Sequence, residues 1–141
     1  MKKTIIASLL LAASTAFAGD VSVSEVRDLK AAKNGIRVGT EVAGLTVSAT
    51  RVEDTYNRYA VGKDFAVANA GPVAISVPVA GVYQRTADAG KNGYGLTVGL
   101  KTTTPVTKNV SVVAGVERFY GQDVISQYNG NTGTIGLAVK F

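Results

Sequence analysis

The chain has 141 residues, no cysteine, no histidine and a formal net charge of +5. The lack of histidine removes the commonest general base and metal ligand, and the lack of cysteine removes thiol chemistry and disulfides. The charge is small, and Arg51, Arg58 and Arg85 are separated by apolar stretches, so no basic face for nucleic acid is expected.

Lys2 and Lys3 precede a mostly apolar run from Ile5 to Phe17, and Ala16-Phe17-Ala18 has the small-x-small form of an export cleavage site. The run is shorter than the ~20 apolar residues of a spanning helix. Residues 1–18 therefore read as a removed signal peptide and residues 19–141 as one folded domain. All 16 glycines lie after the cut. With valine, threonine and alanine they give a β composition.

The folded part alternates with period two, the spacing of a strand with two unlike faces. A first strand near residues 20 to 29 starts with Val21 and Val23, which puts Glu25 on the apolar face. A bulge would turn Val26 outward and Glu25 inward. Alternatively, residues 25–33 form a short helix capped by Ser24 and stopped at Asn34-Gly35. Residues 35 to 42 set Ile36 and Val38 against Arg37 and Glu41, and residues 45 to 53 set Leu45 and Val47 against Thr46 and Ser48. A weaker strand covers residues 62 to 70 with Phe65 and Val67 on one side. Residues 73 to 85 carry Ile75, Val77 and Val79 on one face, with Pro78 predicting a bulge or break because proline cannot donate a ladder bond. Residues 94 to 103 set Leu96, Val98 and Leu100 against Thr97, Gly99 and Lys101. Residues 109 to 120 set Val110, Val112 and Val116 against Ser111, Gly115 and Glu117. The final segment sets Ile135, Leu137, Val139 and Phe141 against Gly136, Ala138 and Lys140.

These strands make an even set, as single-chain outer-membrane barrels require. Their connections read as alternately tight (Ala43-Gly44, Gly71-Pro72, 105–108) and long (30–34, 54–61, 86–92, 121–133). That asymmetry fits a membrane barrel with both termini on the tight-turn side. Phe65, Tyr83, Tyr94, Phe119 and Tyr120 are expected near strand ends on the long-loop side, as an interfacial aromatic belt.

The closing TIGLAVKF, Thr134 to Phe141, resembles the C-terminal signal read by the barrel-assembly machinery, with Phe141 as its terminal aromatic. The chain as a whole resembles the small eight-stranded outer-membrane proteins of the OmpX, opacity-protein and OmpA-transmembrane type. The resemblance lies in topology and the terminal motif, not residue by residue. It implies an all-β, antiparallel up-and-down transmembrane barrel located in the outer membrane. Its partners would be membrane lipid, lipopolysaccharide and the assembly machinery. It also implies adhesive, shielding or porin-like roles without choosing among them. The chain is expected to be a monomer without a cofactor.

The expected lipid-facing set is Ile36, Val38, Val77, Val79, Leu96, Val98, Leu100, Val112, Ile135, Leu137 and Val139. Arg37, Glu41, Lys101, Glu117 and Lys140 point the other way, as an ion-pair network plugging a narrow lumen or, alternatively, lining a gated pore. No large aromatic is expected mid-strand on that inner face. Tyr56, Arg58, Tyr59, Lys91 and Tyr128 are expected in surface loops, suited to adhesive contact. The glycines of GYGLTVG, Gly93 to Gly99, have the wrong spacing for a nucleotide loop, and no spacing pairs a nucleophile with a base. The chain is therefore not expected to be an enzyme. The competing class is a soluble exported barrel or sandwich with a ligand in its interior, which would reverse the two faces.

Overall fold

The computed structural model describes residues 20–86 and 91–140. The expected signal peptide, residues 1–18, and Phe141 lie outside the described residues. The described chain forms a closed barrel of antiparallel strands in the order β1 to β8. They are β1 Asp20–Asp28, β2 Lys33–Val42, β3 Leu45–Val52, β4 Tyr56–Ala70, β5 Val73–Thr86, β6 Asn92–Pro105, β7 Val110–Gly121 and β8 Gly130–Lys140. One short 3₁₀ helix, Asp123–Tyr128, separates β7 from β8. β1 closes the barrel on β8, in register from Asp20 opposite Lys140 to Asp28 opposite Thr132. Closure leaves no strand edge, which lets every ladder bond be made within the barrel.

The region from residue 25 onward in β1 is strand, neither helical nor bulged. Glu25 stays on the outer face between Ile36 and Ile135, and Val26 turns inward and is fully buried. The regular pairing on both sides outweighs the cost of one outward carboxylate, which is less than that of Arg or Lys at the same depth.

At Pro78 the ladder behaves as a ring nitrogen without hydrogen dictates. Pro78 keeps its place opposite Asp64 of β4, but pairing with β6 lapses between Ser76 opposite Lys101 and Val79 opposite Val98. A bulge between Ala66 and Ala68 of β4 accompanies it. The register sum across the gap is unchanged, so the break is local.

The loops expected at one end are mostly short. β4 starts at Tyr56, so the β3–β4 connection is only 53–55, and β1–β2 is joined by 29–32. The asymmetry read from the sequence reduces largely to the 3₁₀ segment between β7 and β8. Opposite it, Ala43-Gly44 turns with φ of 53° and 79°, the left-handed pair that a two-residue hairpin needs.

The outer wall is apolar over most of its area, with Glu25 and Lys63 as charges within it. Leu96, Val98, Ile135 and Leu137 project outward and are 44%, 37%, 60% and 50% exposed. Arg37, Lys101 and Glu117 point into the lumen, where their charges meet partners. A soluble barrel would bury the first set and hydrate the second.

Candidate functional site

The interior has two layers, and the upper one, at the 3₁₀ end, is a plug. Because β4 begins early, alternation sends Tyr56 and Arg58 into the lumen, leaving them 3% and 4% exposed. The Arg58 guanidinium carbon lies 3.8 Å from the Tyr56 ring centroid and 3.8 Å from that of Phe119. A cation held against ring faces away from water gains about 2 kcal/mol or more per contact. Arg58 Nε donates to Gln84 Oε1 at 2.8 Å. Tyr56 O–H donates to Asp28 Oδ2 at 2.5 Å, while Asp28 Oδ1 accepts the backbone N–H groups of Lys30 and Ala31. One carboxylate thus ties the plug to the β1–β2 turn.

The 3₁₀ helix seals the plug. Ile125 is fully buried and packs with Val82 and Phe119. Tyr128 meets Tyr56 edge-on, with centroids 6.2 Å apart. Asn129 Oδ1 accepts the Gly121 N–H and anchors the segment to β7. The Phe119 ring lies where a Cβ on Gly95 would sit, within 2.5 Å of its ideal position, so the glycine of GYGLTVG makes room for the plug.

Tyr56 and Arg58 are therefore not surface-loop residues. Tyr128 is half-buried over the plug, and of the expected loop set Tyr59 is exposed on the outer wall of β4 and Lys91 sits half-buried just before β6. Phe119 is inward and leaves the aromatic belt, and Phe65 falls in the half of β4 nearer the β4–β5 turn. Tyr59, Tyr83, Tyr94 and Tyr120 remain outward near the 3₁₀ end.

Below the plug lie two ion pairs. Arg37 Nη1 donates to Glu117 Oε2 at 3.2 Å, Nη2 donates to Oε1, and Nε donates to Thr50 Oγ1 at 2.7 Å. Lys101 Nζ reaches Asp64 Oδ2 at 2.7 Å. The expected five-residue network is thus corrected to two separate pairs. Asp64 enters from β4, and Glu41 and Lys140 sit exposed at the opposite rim without an ion pair among the described residues. Rim charges are hydrated, and nothing there forces them to pair.

A polar cavity of about 230 Å³ runs from Asp20 and Glu41 at that rim, past Ser48 and Lys101, up to Arg58. It ends at the plug. Arg58 Nη2 and Gln84 Nε2 have no hydrogen-bond partner among the described residues.

A family model described as "YfaZ precursor" matches residues 1–134. No curated protein matches the chain. Among solved structures, the chain is similar to the crystal structure of Neisserial surface protein A (NspA), at 20% identity and a TM-score of 0.45, covering 87% of this chain and 94% of that one.

Proposed function

This chain belongs to the YfaZ precursor family, and we propose that it is an exported outer-membrane barrel whose strands span the bilayer and whose lumen is closed to passage. The observation that carries this reading is the distribution of polarity: branched aliphatic side chains face out and the charged pairs face in. No helix among the described residues is long and apolar enough to cross a membrane, so crossing would fall to the strands. The precursor description accords with a removed signal at residues 1–18. The lipid-facing set would be Ile36, Val38, Val77, Val79, Leu96, Val98, Leu100, Val112, Ile135, Leu137 and Val139, and the assembly machinery would read Phe141.

The role is structural and at the surface, not porin-like. Eight strands leave an interior just wide enough for side chains to fill, and the Arg58 sandwich with Ile125 closes its upper layer, above the polar cavity. Burial of Tyr56 and Arg58 in the lumen removes two of the five residues expected to offer loop surface for adhesion. The barrel acts as a monomer in lipid and lipopolysaccharide, without a nucleic-acid partner or a catalytic role.

Two measurements test this. Unboiled protein from the outer-membrane fraction should migrate differently from boiled protein on a gel; identical migration with recovery in the soluble periplasm would refute membrane insertion. In planar bilayers the wild type should be silent, and Arg58→Ala combined with Phe119→Ala should produce discrete openings. Steady channel events from the wild type would refute a closed lumen.

A further inference from the structure

We propose that the outer wall of β3 to β6 is a seat for one molecule of phosphorylated glycolipid of the lipid A class, its phosphates held by Arg51 and Arg85. This rests on the outer-membrane reading and adds to it a place and a headgroup.

Register builds the seat. Arg51 lies opposite Asn57, Asn57 opposite Arg85, and Arg85 opposite Asn92, so these outward residues form one polar row across four strands. The next row toward the other rim is Ala49, Tyr59, Tyr83 and Tyr94, each opposite the last. Beneath it come Val47, Val61, Gly81 and Leu96. The missing side chain at Gly81 and the small one at Ala49 leave an apolar groove between the tyrosines and Val61. Tyr83 and Tyr94 close one side with ring centroids 5.2 Å apart. The order from rim to wall is thus cation and amide, aromatic, then recessed apolar surface. That is the order of a lipid's phosphate, sugar and acyl chain.

Charge singles out this wall. The outward residues of β3 to β6 include no carboxylate; Glu53 and Asp54 lie in the turn beyond the row. Arg51 and Arg85 are exposed and make no ion pair or side-chain hydrogen bond among the described residues. Arg27 and Arg118, the outward arginines on the rest of the barrel, are engaged: Arg27 donates to Asn34 Oδ1, and Arg118 donates to Asn131 and lies over Tyr120. Arg51 and Arg85 stand two strand spacings apart, about 10 Å at the backbone. Their long stems can hold two phosphates or converge on one, and guanidinium groups bind phosphate through paired donors.

The test uses the full mature chain in phosphatidylcholine nanodiscs doped with bisphosphorylated lipid A, dephosphorylated lipid A or phosphatidylglycerol. Native mass spectrometry counts the lipid retained. The wild type should retain bisphosphorylated lipid A about tenfold or more over the other two, the effect of losing charge-assisted bonds. Arg51→Gln with Arg85→Gln should lose that preference, Gly81→Leu should weaken it by filling the groove, and Arg27→Gln with Arg118→Gln should keep it. Equal retention by the Arg51/Arg85 variant, or retention of phosphatidylglycerol equal to lipid A, overturns the seat. A barrel that fails to insert into the disc overturns the membrane reading itself, which the gel-mobility shift reports separately.

Discussion

Glu117→Ala would leave Arg37 in the lumen with Thr50 as its one side-chain hydrogen-bond partner among the described residues. The two side chains of the pair are 21% and 13% exposed, so solvent screens them only in part. Breaking a fully buried pair from one side costs about 3–5 kcal/mol. The polar cavity alongside lets the stranded guanidinium recover some hydration, so we expect about 2–3 kcal/mol here. Arg37→Met with Glu117→Met removes both charges at similar volume and should cost less than about 1 kcal/mol, because the desolvation penalty goes with the attraction. Arg37→Met or Glu117→Met alone strands one charge as Glu117→Ala does, so the cycle of these two singles and their double variant predicts a coupling of about 2 kcal/mol or more between the positions. Urea unfolding in lipid vesicles, followed by gel mobility, measures it, provided the m-value holds across the series. Single variants within about 0.5 kcal/mol of wild type, or a double variant equal to the sum of the singles, would refute the pairing. The same variants should remain silent in planar bilayers, since the seal lies above this pair at Arg58 and Phe119. A conducting Glu117→Ala would move the seal to the charges.

Leu137→Arg, three residues from the end of β8, should cost about 1–3 kcal/mol in a bilayer, since a lipid-facing cation costs ~2–4 kcal/mol at midplane and less toward the rim; on a soluble protein the same exposed site would tolerate it within about 0.5 kcal/mol. Vesicle unfolding distinguishes the two, and a neutral Leu137→Arg would count against hydrocarbon contact. Gly136→Val should block closure of β1 on β8, because a Cβ there would meet Val23 O at 2.1 Å and Ser24 Cα at 2.5 Å. Refolding yield should collapse, whereas Ala138→Val, on the same strand and face, should refold.

The two faces of the barrel were legible because alternation survives wherever one face is aliphatic and the other small. It was lost in the first half of β4, where Tyr-Asn-Arg-Tyr carries polar groups on both faces and Lys63 interrupts the outward series of Tyr59, Val61 and Phe65. In the folded barrel Lys63 stays outward, with its ammonium 5.6 Å from the Phe65 ring. Its stem lies along apolar surface, as a long cationic side chain allows. Reading Tyr59 and Val61 as outward would have placed Tyr56, Arg58, Ala60, Gly62 and Asp64 inward, and with them both the plug and the partner of Lys101. Gln84 follows from the same alternation, being the direct cross-strand neighbour of Arg58, whereas Phe119 reaches the guanidinium from β7, which only closure of the barrel brings to that layer.

The layering of the interior follows from where each end of the lumen meets water. Charges in a narrow lumen persist only if paired, and each pair orders side chains without adding apolar burial. Val26, Val52, Val82, Phe119 and Ile125 supply that burial at the 3₁₀ end, where Ile125 can fold in from outside the ladder. A strand residue reaches only its own level, whereas a connecting segment can cover the whole mouth. The β7–β8 connection therefore gives this barrel a lid without lengthening a strand. Arg58 fits beneath it because its flat guanidinium stacks between two rings as an apolar layer would and still offers Nε to Gln84. A lysine in its place would keep the charge but lose the plane, so its ammonium could not be covered on both faces by Tyr56 and Phe119.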